Sequence, residues 1–146
     1  MTIKIQTKVT QPLEKVINGF DETLFKALSP PFPRVNLKQF DGSKEGDIVS
    51  IELDFLVAKQ SWISKISEVY SSQNEYYFID EGVKLPFPLK CWHHKHLITD
   101  KGHERVITDE VSYKSINLLL DLILYPLLQV QFIYRKPIYK RIFGQN

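Results

Sequence analysis

Two neighbouring segments in the second half of the sequence carry side chains whose types and spacing could do chemistry. Trp92, His94 and His96 occupy alternate positions of the first segment, and Asp109 and Tyr113 occupy positions of equal parity in the second. Alternate residues of a β-strand point to the same face of a sheet, so each set shares a face. An imidazole close to a carboxylate can orient a polar ligand group, exchange a proton or bind a metal ion. The spacing therefore predicts a polar site on this pair of segments.

The register between the two segments decides which of these polar side chains meet. If they pair across a tight turn, His94 lies opposite a residue near Ile107 or Asp109. By the same geometry His96 lies opposite a residue near Arg105 or Ile107. We therefore expect His94 and Asp109 to be direct or diagonal neighbours.

Three interpretations of this cluster stay open on the sequence alone. In the first, an imidazole and a carboxylate form a polar patch in an apolar cavity and orient a ligand. In the second, the histidines form a satisfied hydrogen-bonded cluster, in the core or on the convex face, and Asp109 fixes a tautomer. In the third, His94 and His96 bind a metal ion or act with Asp109 in acid/base chemistry. The sequence predicts no metal ion and no cofactor, because no third strong ligand lies at a suggestive spacing and Cys91 points to the opposite face.

The composition is that of an ordinary globular protein, with 43% hydrophobic and 25% charged residues. The 19 basic and 17 acidic residues are interspersed for most of the length and give a formal net charge of +2, which argues against nucleic-acid binding. A single cysteine allows no intrachain disulfide, and the first residues lack a signal-peptide pattern. We therefore expect one domain over residues 1–146, located in the cytoplasm.

The hydrophobic periodicity predicts an α+β fold. Residues 2–9 alternate as a half-buried strand, residues 12–29 fit two short helices, and residues 35–115 have a period of two interrupted by polar turns. From about residue 116 to 143 the period becomes helical, with a kink or break expected near Pro126 and near Pro137. The predicted fold is a seven-stranded curved antiparallel sheet that grips a long C-terminal helix, with two short helices between strands 1 and 2. Because one helix cannot fill the concave side of so wide a sheet, an apolar cavity is expected between them.

The element order and several motifs carry a family resemblance. The motifs are the segments 28–31, 78–82, 86–88, 92–96, 108–113 and 125–126. With them the whole chain resembles the START-like, helix-grip superfamily that includes the birch pollen allergen, also called SRPBCC domains. A W-x-H-x-H strand followed by a D-x-V-x-Y strand is similar to an uncharacterised bacterial branch of that superfamily. Since its members include lipid carriers, hormone receptors and cyclases, the resemblance implies the fold more closely than a function.

The sequence thus predicts a non-catalytic module that binds a small hydrophobic or amphipathic molecule or a lipid. The candidate ligand-binding residues are Trp62, Tyr76, Phe78, Trp92, His94, His96, Asp109, Tyr113 and Tyr125. The aromatic members could equally fill the core. One alternative is an enzyme of cyclase or hydrolase type that uses His94 or His96 with Asp109. Another is a protein-interaction module without a ligand, with residues 85–88 as an exposed loop.

The last quarter of the chain raises the question of a membrane. Residues 116–134 are strongly apolar and are followed by Arg135, Lys136, Lys140 and Arg141. Polar interruptions in the apolar stretch favour a buried helix over a membrane span. The basic end fits either a solvated helix terminus or a contact with anionic lipid. We expect no stable membrane insertion, no nucleic-acid partner, and a monomer or weak dimer.

Overall fold

The chain was analysed as a computed structural model, which describes residues 1–144. The elements in chain order are β1 (Thr2–Val9), α1 (Leu13–Asn18), α2 (Glu22–Leu28), β2 (Arg34–Phe40), β3 (Ile48–Asp54), β4 (Lys59–Ser71), β5 (Glu75–Lys84), β6 (Leu89–Asp100), β7 (Arg105–Ser115), α3 (Leu118–Ile133) and α4 (Arg135–Phe143).

The strands form one sheet of seven in the order β1-β7-β6-β5-β4-β3-β2, and every neighbouring pair is antiparallel. Strands β2 to β7 are a meander, and β1 joins its far edge beside β7. The predicted α+β architecture is therefore confirmed, with two short helices between β1 and β2 and a long helical segment at the C-terminal end.

Strand β1 shows how the period of two places side chains. Ile3, Ile5, Thr7 and Val9 are buried, and the residues between them are exposed. The buried face of β1 continues across the sheet, because Ile5 pairs with Asp109 of β7. The concave side of the sheet therefore receives the side chains that alternate in phase with Asp109.

The C-terminal helix is interrupted once. Tyr134 separates α3 from α4, three residues before Pro137. Pro137 lacks a backbone N–H, and its ring clashes with the carbonyl group of Ile133 in a continuous helix. Pro126 lies inside α3 without ending it. The expected interruption is therefore found at Pro137.

Two apolar clusters pack on the concave side of the sheet. The first joins the short helices and α4 to β1, β6 and β7, through Val9, Val16, Leu24, Leu28, Ile98, Ile107, Ile138, Tyr139 and Phe143. The second joins α3 to the same three strands, through Ile3, Ile5, Trp92, Val111, Tyr113, Leu128 and Phe132. Each large apolar side chain buried in this way stabilises the fold by about 1.5–3 kcal/mol.

Only one face of α3 is covered. Asp121, Leu128 and Phe132 are buried against the sheet, while the opposite face presents large apolar side chains to the outside. The segment Leu118–Phe143 is long and apolar enough to cross a membrane, and 17% of its most apolar stretch is buried. The expected burial of this helix is therefore found for the inner face of α3, while its outer face is uncovered, because helical periodicity cannot show how much of a uniformly apolar helix its neighbours cover.

Candidate functional site

The register of β6 and β7 differs from the expected one. Asp100 pairs with Arg105, so four residues turn the chain, and His96 lies opposite Asp109 while His94 lies opposite Val111. The expected partners of His94 and His96 were therefore wrong by at least two positions, because the turn is longer than a tight hairpin. The expectation that His94 and Asp109 are diagonal neighbours holds.

His94 and Asp109 form a buried pair at the centre of the concave side. The Nε2 atom of His94 lies 2.8 Å from Oδ1 of Asp109, and both side chains are almost fully buried. The His94 ring packs edge-on against Phe132 of α3, with ring centroids 5.1 Å apart. This contact places the histidine under the helix and rules out the convex face of the sheet.

Asp80 of β5 supplies a second carboxylate that the sequence interpretation missed. Its backbone pairs with that of His94, and its Oδ2 atom lies 2.9 Å from Nε2 of His96 and 3.6 Å from Nδ1 of His94. The centroids of the two imidazole rings are 3.7 Å apart, and the ring planes are tilted by 31°. Two carboxylates therefore bracket two adjacent imidazoles. The sequence signal that could have revealed Asp80 is the alternation in β5, which puts it on the same face as Phe78.

Arg135 and Tyr139 complete the cluster from α4. Nη1 of Arg135 lies 3.4 Å from Oδ1 of Asp109, and the hydroxyl group of Tyr139 donates to the same oxygen over 3.5 Å. The guanidinium group also lies over the ring of Phe132, 4.5 Å from its centroid. Residues four apart on a helix share a face, so α4 directs both side chains inward. The sequence analysis had placed Arg135 in a basic end that is either solvated or in contact with anionic lipid, whereas its side chain contacts Asp109.

The surroundings of these groups shift their pKa values. Burial opposes the charged form of Asp109, but the hydrogen bond from His94 and the charge of Arg135 outweigh it and lower the pKa of Asp109 to about 2. Burial, together with the neighbouring His96, lowers the pKa of His94 to about 4. For Asp80, burial is outweighed by the hydrogen bond from His96 and the nearby His94, so its pKa is lowered. At neutral pH both carboxylates are charged and His94 is neutral.

Two adjoining cavities between the sheet and the helices meet at this cluster. The larger has a volume of about 310 Å³ and is walled by Trp62, Trp92, Leu128 and Phe132 among others. The smaller has a volume of about 100 Å³ and lies beside α2 and the turn that precedes it. Both are lined by Asp80, His94 and Arg135. The polar cluster therefore forms part of the wall of both apolar spaces.

Five of the nine predicted site residues line these cavities, and a sixth lies behind them. Trp62, Trp92 and His94 line the larger one, and Phe78, His94 and His96 line the smaller one. Asp109 lies directly behind His94 and is buried.

The other three predicted residues are not among the described residues that line either cavity. Tyr76 packs at the margin of the first apolar cluster. Tyr113 is buried and its hydroxyl group donates to the carbonyl oxygen of Asp121 over 2.7 Å. Tyr125 is partly exposed on α3. These tyrosines were predicted as site residues from the sequence pattern. Their contacts depend instead on their position along the strand and on the rotation of the helix about its axis.

No protein-family model matches the sequence, and a comparison with curated proteins finds no match. Solved structures do match. A major latex-like protein from Panax ginseng is 13% identical with a TM-score of 0.59, and the alignment covers 92% of this chain and 97% of that one. The chain has the helix-grip fold.

Two enzymes share this helix-grip fold. An aromatase/cyclase from Streptomyces is 10% identical with a TM-score of 0.59, covering 97% of this chain and 95% of that one. Norcoclaurine synthase from Thalictrum flavum, solved with dopamine and hydroxybenzaldehyde, is 11% identical with a TM-score of 0.61, covering 96% and 87%. The predicted superfamily resemblance is confirmed at the level of the fold. The narrower resemblance to a bacterial branch stays a prediction.

Proposed function

We propose that this helix-grip chain binds a small hydrophobic or amphipathic molecule between the sheet and α3, without catalysing a reaction on it. The observation that carries the proposal is the cavity of about 310 Å³ whose mostly apolar wall includes the polar groups of Asp80, His94 and Arg135. Pockets for small molecules are typically apolar, with a few polar groups that fix orientation, and span about 300–1,000 Å³. The cavity is at the small end of that range, which favours a compact ligand over a long acyl chain.

The ligand contacts follow from the lining. Trp62 and Trp92 supply an aromatic corner, with ring centroids 4.7 Å apart and ring planes at 88° to each other. At the inner end, His94 and Arg135 offer an imidazole nitrogen and a guanidinium group. An amphipathic molecule therefore places its apolar body against the tryptophans and a polar or anionic group at the cluster. Asp109 contacts His94 and Arg135 and so positions both.

The fold neighbours support an occupied cavity in a general way, since one was solved with dopamine and hydroxybenzaldehyde. The partner in the proposal is a small molecule only, and the chain acts in the cytoplasm as one domain and as a monomer or weak dimer.

A second candidate is an enzyme of cyclase or hydrolase type. The observation that favours it is the His94–Asp109 pair, 2.8 Å apart, at the wall of the cavity. A base held in orientation by a carboxylate is the arrangement of general base catalysis.

The interaction module has less support. Phe87 is 70% exposed, but the segment Pro86–Pro88 also lines the larger cavity, and Leu85 packs on the second apolar cluster. This loop is therefore part of the rim of the ligand space.

The test uses a cavity-filling substitution with a matched control. Val49 lines both cavities, so Val49→Trp fills the ligand space. Val83 is 65% exposed on β5, so Val83→Trp adds the same group outside. We expect the wild-type chain and Val83→Trp to bind anilinonaphthalene sulfonate, and Val49→Trp to lose affinity at least about tenfold. Equal binding of the probe by all three proteins contradicts the proposal. So does a wild-type chain that binds neither this probe nor medium-chain fatty acids and shows no ligand in native mass spectra.

A further inference from the structure

Three donor atoms converge on one point of the cavity wall. Oδ2 of Asp80 lies 2.9 Å from Nε2 of His96 and 3.6 Å from Nδ1 of His94, and all three lie within 4.8 Å of one another. All three side chains line the smaller cavity. Zinc bonds to nitrogen and oxygen of about 2.0–2.2 Å at tetrahedral angles place donors about 3.4 Å apart. The distance between Asp80 Oδ2 and His94 Nδ1 already fits this value. The distance between Asp80 Oδ2 and His96 Nε2 has to increase by a few tenths of an ångström.

The other ring nitrogens of both histidines face a single carboxylate. Asp109 Oδ1 lies 2.8 Å from Nε2 of His94 and 3.8 Å from Nδ1 of His96. Asp109 is itself fixed by Arg135 and Tyr139. Metal-binding histidines characteristically direct their second nitrogen at a carboxylate, which fixes ring orientation and raises ligand basicity.

The hydrogen bonds within the cluster leave imidazole lone pairs directed at carboxylate oxygens. A neutral imidazole carries one N–H group. If His94 donates through Nε2 to Asp109, its Nδ1 lone pair faces Oδ2 of Asp80. If His96 donates through Nε2 to Asp80, its buried Nδ1 atom has no hydrogen-bond partner among residues 1–144. A cation between Asp80 and the two histidines relieves this repulsion.

We propose that Asp80, His94 and His96 bind one divalent transition-metal ion of the zinc class. Asp80 contributes Oδ2, His94 contributes Nδ1 and His96 contributes Nε2, while Asp109 orients both imidazoles without binding the ion. Two imidazoles and one carboxylate suit zinc, cobalt or nickel rather than magnesium or calcium. The remaining coordination position faces the cavity and accepts water or an anionic group of a ligand. The site forms without any ligand, so its test is independent of the proposed function.

The sequence analysis found no third ligand for a metal ion, and Asp80 fills that position in the proposed site. The third ligand comes from β5, a neighbouring strand whose contribution depends on sheet register. Spacing along the sequence cannot show it.

The test is a titration of chelator-treated protein with Zn²⁺ by calorimetry and with Co²⁺ by visible absorption. We expect one Zn²⁺ per chain and the absorption bands of tetrahedral or five-coordinate cobalt. Asp80→Asn keeps the shape of the side chain and is expected to lower the affinity at least about a hundredfold, while Asp109→Asn lowers it about 10–100-fold.

Matched controls come from exposed groups. Nδ1 of His93 contacts Oε1 of Glu81 at 2.5 Å, and both side chains are more than 40% exposed. We expect Glu81→Gln and His93→Gln to bind zinc like the wild type. No Zn²⁺ binding at micromolar concentrations by the wild-type chain overturns the proposal. The proposal is also overturned if the control substitutions abolish zinc binding and Asp80→Asn does not.

Discussion

His94 donates a hydrogen bond through Nε2 to Oδ1 of Asp109 over 2.8 Å, although the backbone register makes the two residues diagonal neighbours and places His96 opposite Asp109. The diagonal contact fixes the tautomer of His94 and directs its Nδ1 atom towards Asp80 and the cavity. The chemistry of the site therefore depends on Asp109 even though Asp109 does not line either cavity. This relationship leads to the first prediction.

Replacing Asp109 by asparagine is expected to destabilise the fold by about 3–5 kcal/mol, because it leaves the buried Arg135 without its charged partner. Urea unfolding followed by circular dichroism measures the loss. Glu81→Gln makes the same chemical change at the exposed pair with His93 and should cost less than about 1 kcal/mol. Similar losses for the two variants would show that burial of the Asp109 cluster contributes little to stability.

Phe132 joins the polar cluster to the second apolar cluster. Its ring lies 6.2 Å from that of Trp92 and 5.1 Å from that of His94, between centroids. Phe132→Ala is expected to cost about 3–5 kcal/mol and to enlarge the cavity beneath α3. On the same helix Leu122 is 52% exposed, so Leu122→Ala should change the free energy of unfolding by about 0.5 kcal/mol or less. The comparison tests which face of α3 packs on the sheet; a larger loss for Leu122→Ala would reverse the assignment.

Asp121 ties the start of α3 to the end of β7. Hydrogen bonds from Ser115 lower the pKa of Asp121 below its usual range. A carboxyl group whose pKa is lower in the folded state stabilises the fold above its unfolded pKa of about 3.9 and loses that contribution as the pH falls below it. Stability measured by urea unfolding should therefore fall less steeply below about pH 4 in Asp121→Asn than in the wild type. Parallel pH profiles for the two proteins would contradict this role.

Gly102 lies in the turn that sets the register of β6 and β7. Its φ angle is +91°, a region that residues with a side chain rarely adopt, and no atom lies within 4 Å of a Cβ built there. Gly102→Ala is therefore expected to cost about 1–2 kcal/mol through backbone strain alone. Lys101→Ala, at the adjacent exposed position, serves as the control and should be close to neutral. Thermal unfolding of the two variants gives the comparison, and equal melting temperatures would argue against strain at Gly102.

The local sequence pattern was sufficient to predict much of the fold. The period of two places Ile3, Ile5 and Val9 on one face of β1 whatever the tertiary structure, because alternate side chains of a strand always point the same way. The break before Pro137 follows from a missing N–H and a ring clash within one helical turn. The sharing of one face by Trp92, His94 and His96 is equally local. Element types, their order and the faces of β6 were therefore determined by the sequence itself.

The composition of the site was decided only in three dimensions. The turn length between Asp100 and Arg105 set the register, which brought His96 opposite Asp109. Asp80 joins the site because β5 pairs with β6. Arg135 joins it because α4, which follows the break at Tyr134, directs this side chain towards Asp109. Such contacts join residues far apart in the chain, and their geometry depends on how whole elements pack rather than on local preference. For the same reason the sequence showed that α3 is apolar, while its packing on the sheet decided which apolar face stays uncovered.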